Sequence, residues 1–405
     1  MVLAHEKRHM PLAQDIDGRQ IPGKGGVQSM KGAASLRILR ARLGLDRQIA
    51  AGRTWLRPLR DGLWLIERLR QITFLAPAGP LGARAAGAYP CPVPFREMVI
   101  NCDGTVACGS TGYAPVLDSF DTSSSVRLSD IWEGPSFKAM RARMLSNDAS
   151  GCAGCMLFRC PNFSPLSDAE QRPSIADHPP LEHVLIEPTA CCDLDCPSIC
   201  GRSYPKALRV LSRRRTRFMS MDLFARIVAG IDRPIRTIGL YNYGEPLLHP
   251  NFSTICKSMR ERCPSAYMYT STNGTRMADL GVRKGLLESG LDDIVLSVDG
   301  ATQETYGAYR RGGRLESILD GMRQFRQERE RAGLQRPRLL WRYLLFSWND
   351  SEEELACAER IARDVGVDHF GYGLSDLPDL ASRTYLPGTP AYERIRSRLF
   401  RQNPT

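Results

Sequence analysis

The chain has no stretch approaching the roughly 18 to 20 uninterrupted apolar residues that a membrane-spanning helix needs, although 42% of its 405 residues are hydrophobic. Its first residues lack the basic-then-apolar pattern of a secretory leader. It also lacks the glycine fingerprint of a dinucleotide-binding strand–turn–helix unit. These absences argue against a helical membrane protein and a Rossmann-type fold, and they set the expectation of a soluble cytoplasmic protein. At this length and apolar content the chain can bury more than one core.

What is there is cysteine. Ten of the 13 cysteines fall between Cys91 and Cys200 in short spacings, and in a chain of this size such clustering points to metal ligation rather than to a disulfide framework. Cys256, Cys263 and Cys357 lie outside the cluster in helix-like segments and read as small buried hydrophobes. The charge is uneven as well. Residues 1–70 hold 14 Lys plus Arg against 6 Asp plus Glu, a balance of +8 out of a formal +11. Leu, Ile and Trp recur at helical spacing among the arginines of residues 35–70, so residues 1–80 are expected to be a basic helical extension, partly disordered. Such an extension suits an acidic partner, an anionic membrane surface or nucleic acid, or simply a solvated basic face of a helical arm packed on the body.

The second half alternates. Apolar or β-branched runs at Val184–Ile186, Thr237–Tyr241, Ala266–Thr270, Asp293–Val298, Leu339–Leu345 and His369–Tyr372 predict six short buried strands. Helix-period stretches separate them, opened by Ser220 with Asp222, by Pro250-Asn251-Phe252, and by Ser351 followed by three glutamates. Six strand–helix alternations require crossovers and hence a parallel sheet. The expected fold is α/β, a partial (β/α)6 barrel over 178–375, with its site at the C-terminal ends of the strands. Residues 85–165 read as a small cysteine-rich α+β domain, and 376–405 as a tail containing a final helix or a linker.

The first strand runs into Ile186-Glu-Pro-Thr-Ala-Cys191-Cys192-Asp-Leu-Asp-Cys196-Pro-Ser-Ile-Cys200. Several thiols on one loop wrap a soft metal centre, iron–sulfur or zinc. Three thiolates on a four-iron cube leave one iron open to chelate S-adenosylmethionine (SAM) and pass an electron into its sulfonium. Glu187-Pro-Thr followed by Cys192, Leu194, Cys196 and Pro197 resembles the cluster loop of the radical SAM superfamily, in the branch that carries SPASM-type auxiliary-cluster domains. That family spaces its cysteines by three residues and then two; here the second gap is also three. The resemblance implies a SAM-binding 4Fe–4S cluster on Cys192, Cys196 and Cys200, with Cys191 as a substitute.

Further segments carry the same resemblance in the same order. Tyr243-Gly244-Glu245-Pro is similar to the family's segment after the second strand, which meets the SAM amino group; a glycine admits close approach and a carboxylate offsets an ammonium. Thr270-Ser271-Thr-Asn273-Gly and Ser297-Val-Asp299-Gly are similar to the turns after the third and fourth strands, implying contacts from Ser271, Asn273, Ser297 and Asp299 to the methionine and ribose parts. Tyr306 and Arg310 match a pattern whose arginine faces the SAM carboxylate.

In front of the barrel, Cys91, then Asn101-Cys102-Asp-Gly104 and Cys108, read as a hairpin with Asp-Gly in its turn. After Ile131-Trp132 and a helix come Cys152, Cys155 and Cys160, whose Cys-x-x-Cys is a strong metal signal. Residues 91–160 resemble a SPASM domain, here before the barrel rather than after it and without the full seven cysteines. The resemblance implies at least one auxiliary 4Fe–4S cluster on Cys91, Cys108, Cys152, Cys155 and Cys160, with Cys102 a spare candidate; zinc is the alternative metal.

The resemblance further implies an enzyme that cleaves SAM reductively and abstracts hydrogen from a peptide or protein, with an electron donor such as flavodoxin or ferredoxin. A sugar or other small-molecule dehydrogenase or epimerase is the alternative within the superfamily, and a metal-binding scaffold without catalysis is the alternative outside it. No catalytic hydrogen donor or base is legible, since that depends on the substrate's pose.

Overall fold

The computed structural model describes residues 91–400, apart from 92, 111–112, 121–125, 147, 149–154, 156–178, 207–208, 376, 378 and 387. The basic extension expected over 1–80, and with it Cys152 and Cys160, lies outside the described residues. No helix among the described residues is long and apolar enough to cross a membrane.

All six strands expected in the second half are present: β4 (His183–Ile186), β5 (Thr237–Gly239), β6 (Tyr267–Thr272), β7 (Asp293–Ser297), β8 (Arg338–Leu345) and β9 (His369–Leu374). Each pairs in parallel with its successor, in unbroken order β4-β5-β6-β7-β8-β9. Between them run α3 (Met221–Ala229), α4 (Phe252–Arg262), α5 (Leu280–Leu287), α6 (Gln303–Tyr309), α7 (Leu315–Arg331) and α8 (Glu352–Val365), the numbering allowing for two earlier helices. The helix starts follow local chemistry. Ser220 accepts from the Leu223 amide and Ser351 from the Glu354 amide, each satisfying an amide with no partner inside its helix.

A sheet wound in one direction puts its helices on one face. Side-chain alternation shows which face that is. Val184, Ile186, Ile238, Leu240, Ile294, Leu296, Leu339 and Trp341 join the large core under the helices. Their neighbours Leu185, Tyr269, Val295 and Leu340 form two small clusters on the other, concave face. This is the architecture of a partial (β/α)6 barrel.

The cysteine-rich segment adds to that sheet rather than standing apart. Its hairpin, β1 (Glu97–Ile100) and β2 (Thr105–Ala107), turns at Asn101–Gly104 with Gly104 at φ +83°, and β3 (Val116–Ser119) follows β2. β1 pairs in parallel with β4, Ile100 beside Ile186, so one nine-stranded sheet runs from β3 to β9. Two short helices, α1 (Leu128–Trp132) and α2 (Pro135–Leu145), follow β3 among the described residues. Arg141 stacks on Trp132 at 4.1 Å and donates to the Pro94 carbonyl at 2.8 Å, which fixes α2 against the approach to β1.

The tail contains a short helix, α9 (Pro390–Ile395). Beyond it the Phe400 amide donates to the Tyr372 carbonyl at 2.7 Å, so the chain runs beside the outer strand β9. The Phe400 ring reaches the concave-face cluster around Tyr269 and Leu340.

Candidate metal and cofactor site

The loop after β4 is held in place from three sides. Glu187, fully buried, takes 2.6 Å from Arg214 Nε and also accepts from the amides of Cys102 and Tyr243. Thr189 Oγ1 donates to the Arg217 carbonyl at 2.7 Å and accepts from the Cys191 amide at 2.9 Å. Asp193 accepts from Asn273 Nδ2 at 2.8 Å and from Thr275 Oγ1 at 2.5 Å, which ties the loop to the turn after β6.

The segment after β5 lies directly against this loop. The Glu245 amide donates to the Cys191 carbonyl at 2.6 Å. A Cβ on Gly244 would sit 1.8 Å from the Thr189 carbonyl oxygen, so only glycine fits. Glu245 is buried, and its carboxylate accepts from Thr272 Oγ1 at 2.6 Å, the Asn273 amide at 2.7 Å and the Leu247 amide at 3.0 Å. Burial raises its pKa to about 7 against the pull of those donors.

Cys192, Cys196 and Cys200 line a cleft of about 190 Å³, open to solvent, at the C-terminal ends of the strands. Gly244, Glu245, Ser271, Asn273, Ser297 and Arg310 line the same cleft, so six of the seven residues expected to meet SAM are brought together. Asp299 is the exception. It is fully buried behind Arg310, accepting 2.6 Å from Arg310 and 2.8 Å from the Leu344 amide. Cys191 also stands away from the cleft, with its sulfur 3.2 Å from Arg217 Nε. Adjacent residues on an extended loop face opposite ways, which separates it from Cys192.

The thiols are costly to ionise as they stand. Burial pushes Cys192 up to about 12 and Cys196 up to about 11, the latter eased by Arg310; Cys200 is raised for the same reason. Sulfurs in such surroundings are inert as nucleophiles and suit a bound cationic centre that neutralises the thiolate. Among the described residues no group of three or more His, Cys, Asp or Glu lies close enough to hold one metal ion. A cube spreads its thiolates over separate irons, so three thiols on one loop suit a cluster. The donor set and the glycine cradle therefore fit an iron–sulfur cluster with SAM beside it.

Two wall residues were not singled out from the sequence. Arg342, on β8, reaches the cleft and donates to Ser297 Oγ at 2.8 Å; the signal was a lone arginine inside the apolar run Leu339–Leu345. Tyr309 packs with Cys196, Leu194 and Phe346 under the cluster loop.

The front segment has a second thiol group at the other end of the sheet. Cys91 and Cys155 pack around Phe95, Met140 and Met144. Cys108 follows β2, antiparallel to β1, and so lies near the N-terminal end of β1. Cys102, the spare candidate, is in the turn at the opposite end of the hairpin, its sulfur 3.4 Å from the Thr216 carbonyl. The length of β1, roughly 13 Å, separates it from the other three.

A sequence profile of the radical SAM superfamily matches residues 186–333, and one of the SPASM iron-sulfur cluster-binding domain matches residues 91–156. No curated protein sequence matches the chain. Among solved structures, Streptococcus suis SuiB bound to S-adenosylmethionine is similar at 14% identity, covering 60% of this chain and 46% of that one, with a TM-score of 0.34. The same protein bound to precursor peptide SuiA gives 13%, 68%, 61% and 0.34, and HemN, coproporphyrinogen III oxidase from Escherichia coli, gives 16%, 43%, 41% and 0.31. The chain spans about half the length of these structures.

Proposed function

Because the chain belongs to the radical SAM superfamily and carries a SPASM iron-sulfur domain, we propose that it cleaves SAM reductively and removes a hydrogen from a peptide or protein substrate. The observation that carries the reading is the convergence of Cys192, Cys196 and Cys200 with Gly244 and Glu245 on one cleft at the strand ends. When bound there, a 4Fe–4S cluster supplies the electron that splits the SAM sulfonium into methionine and a 5′-deoxyadenosyl radical able to take hydrogen from an unactivated carbon.

The chain's own residues do the rest. Cys192, Cys196 and Cys200 would hold the cluster. Gly244 lets backbone approach the ligand, and Glu245, anchored by Thr272 and Asn273, offers a carboxylate to an ammonium. Ser271, Asn273 and Ser297 supply polar contacts along the cleft wall. Leu194, Tyr309 and Phe346 pack against Cys196 and give its sulfur an apolar backing. Cys91, Cys108 and Cys155, with Cys152 and Cys160 outside the described residues, are the ligands proposed for an auxiliary cluster. Auxiliary centres of this kind accompany peptide modification in the family, which favours a peptide substrate over a sugar. A flavodoxin- or ferredoxin-type donor supplies the electron.

The test is anaerobic reconstitution with iron and sulfide, then dithionite and SAM, with 5′-deoxyadenosine measured by chromatography. Formation of 5′-deoxyadenosine, abolished by Cys196→Ala, supports the reading. Iron uptake without product points to a scaffold, and stoichiometric zinc without visible absorbance to a zinc module.

A further inference from the structure

Two arginines line the cleft, and they stand in different electrostatic situations. Arg310 is already matched. Its guanidinium lies 2.6 Å from Asp299, a carboxylate with no exposure at all, and a further hydrogen bond links it to Cys196. A buried pair of this kind is not readily shared. Drawing Arg310 onto a second carboxylate weakens its hold on an acid that has no water to turn to.

Arg342 has no such match. It forms no salt bridge with any described residue; its terminal nitrogen donates to the neutral Ser297 hydroxyl at 2.8 Å, and its Nε is buried with no partner. The side chain is not a surface arginine caught by chance. β8 directs it to the concave face, where it is the register partner of Ser297 on β7. An arginine that lines a ligand cleft and meets only a neutral hydroxyl there is suited to a planar anion.

We propose that Arg342, and not Arg310, reads the carboxylate of SAM, with Arg310 serving as the counter-ion of Asp299 that positions the wall beside Cys196. The proposal rests on the reading of the cleft as a SAM site. It also corrects the role that the sequence pattern around Tyr306 and Arg310 implied.

The test compares binding of SAM with binding of its decarboxylated analogue, S-adenosylmethioninamine, by equilibrium dialysis against the full chain reconstituted anaerobically. The cluster's own contribution to the carboxylate preference is common to all variants and cancels between them. Arg342→Gln is expected to lower the preference for SAM over the analogue by about 10- to 100-fold, the range for one charge-assisted contact. Arg342→Lys retains part of it, and Arg310→Gln leaves the preference within about threefold of wild type. Thermal melts and iron content of each variant separate lost binding from lost folding. A wild-type preference that persists in Arg342→Gln overturns the proposal, whatever Arg310→Gln does. A wild-type protein that binds neither compound fails the proposed function instead.

Discussion

Glu187 and Arg214 form a 2.6 Å ion pair in which the carboxylate is wholly buried and the guanidinium nearly so. Through Glu187 the pair also engages the amides of Cys102 and Tyr243, so one carboxylate joins the front hairpin, the cluster loop and the segment after β5. Removing one partner of a buried pair strands the other charge. Arg214→Ala is therefore expected to lower unfolding free energy by about 3 kcal/mol. Urea denaturation measures it, and the double variant Glu187→Gln/Arg214→Met is expected to be less destabilised than Arg214→Ala alone.

Gly244 is where two loops touch. An added methyl would sit 1.8 Å from the Thr189 carbonyl oxygen, and backbone cannot rotate away as a side chain can. Gly244→Ala is expected to cost about 2 kcal/mol or more and to reduce iron retained after anaerobic reconstitution. Iron assay with a melting curve checks both. Full iron loading would place the loops further apart than described.

The facing of the thiols gives a contrast between neighbours. Cys192→Ala, Cys196→Ala and Cys200→Ala are each expected to abolish the cluster's visible absorbance from the barrel site. Cys191→Ala, whose sulfur lies against Arg217, is expected to retain it. To isolate this centre, absorbance and iron are measured in a background with Cys91, Cys108, Cys152, Cys155 and Cys160 replaced by alanine. Loss of the centre in Cys191→Ala together with its survival in Cys200→Ala would exchange the two assignments.

Glu97, at the start of β1, gives a pH signature. Burial raises its pKa from 4.5 to about 7, against the Ser110 amide 3.0 Å from its carboxylate. The unfolded chain therefore gives up this proton first, and the group's contribution to stability falls as pH rises from about 4.5 through 7. Glu97→Gln is expected to remove about 1–3 kcal/mol of the stability difference between pH 5 and pH 8, read from denaturation at both values. An unchanged difference would show that Glu97 ionises in the folded protein as it does in water.

The barrel was legible because each of its six strands carries its own apolar run and its helices carry their own caps, such as Ser220 and Ser351. The Asp-Gly turn at Gly104 was legible for the same local reason. The pairing of β1 with β4 was not, because it joins segments some eighty residues apart and parallel pairing leaves no turn signature between them. The cleft residues Gly244, Glu245, Ser271, Asn273, Ser297 and Arg310 followed from motif order, whereas the burial of Asp299 behind Arg310 is a tertiary outcome. Arg342 was hidden in plain sight, since an arginine in a strand reads equally as a solvent-facing residue until the sheet's concave face is known.

Low-temperature electron paramagnetic resonance of the dithionite-reduced protein, recorded with and without SAM, tests the central assignment most directly. It is measured in the same background lacking the front-segment cysteines. The expected result is the signal of a reduced 4Fe–4S centre that changes shape when SAM is added and disappears in Cys196→Ala. A signal indifferent to SAM, or no cubane signal at full iron loading, contradicts the account.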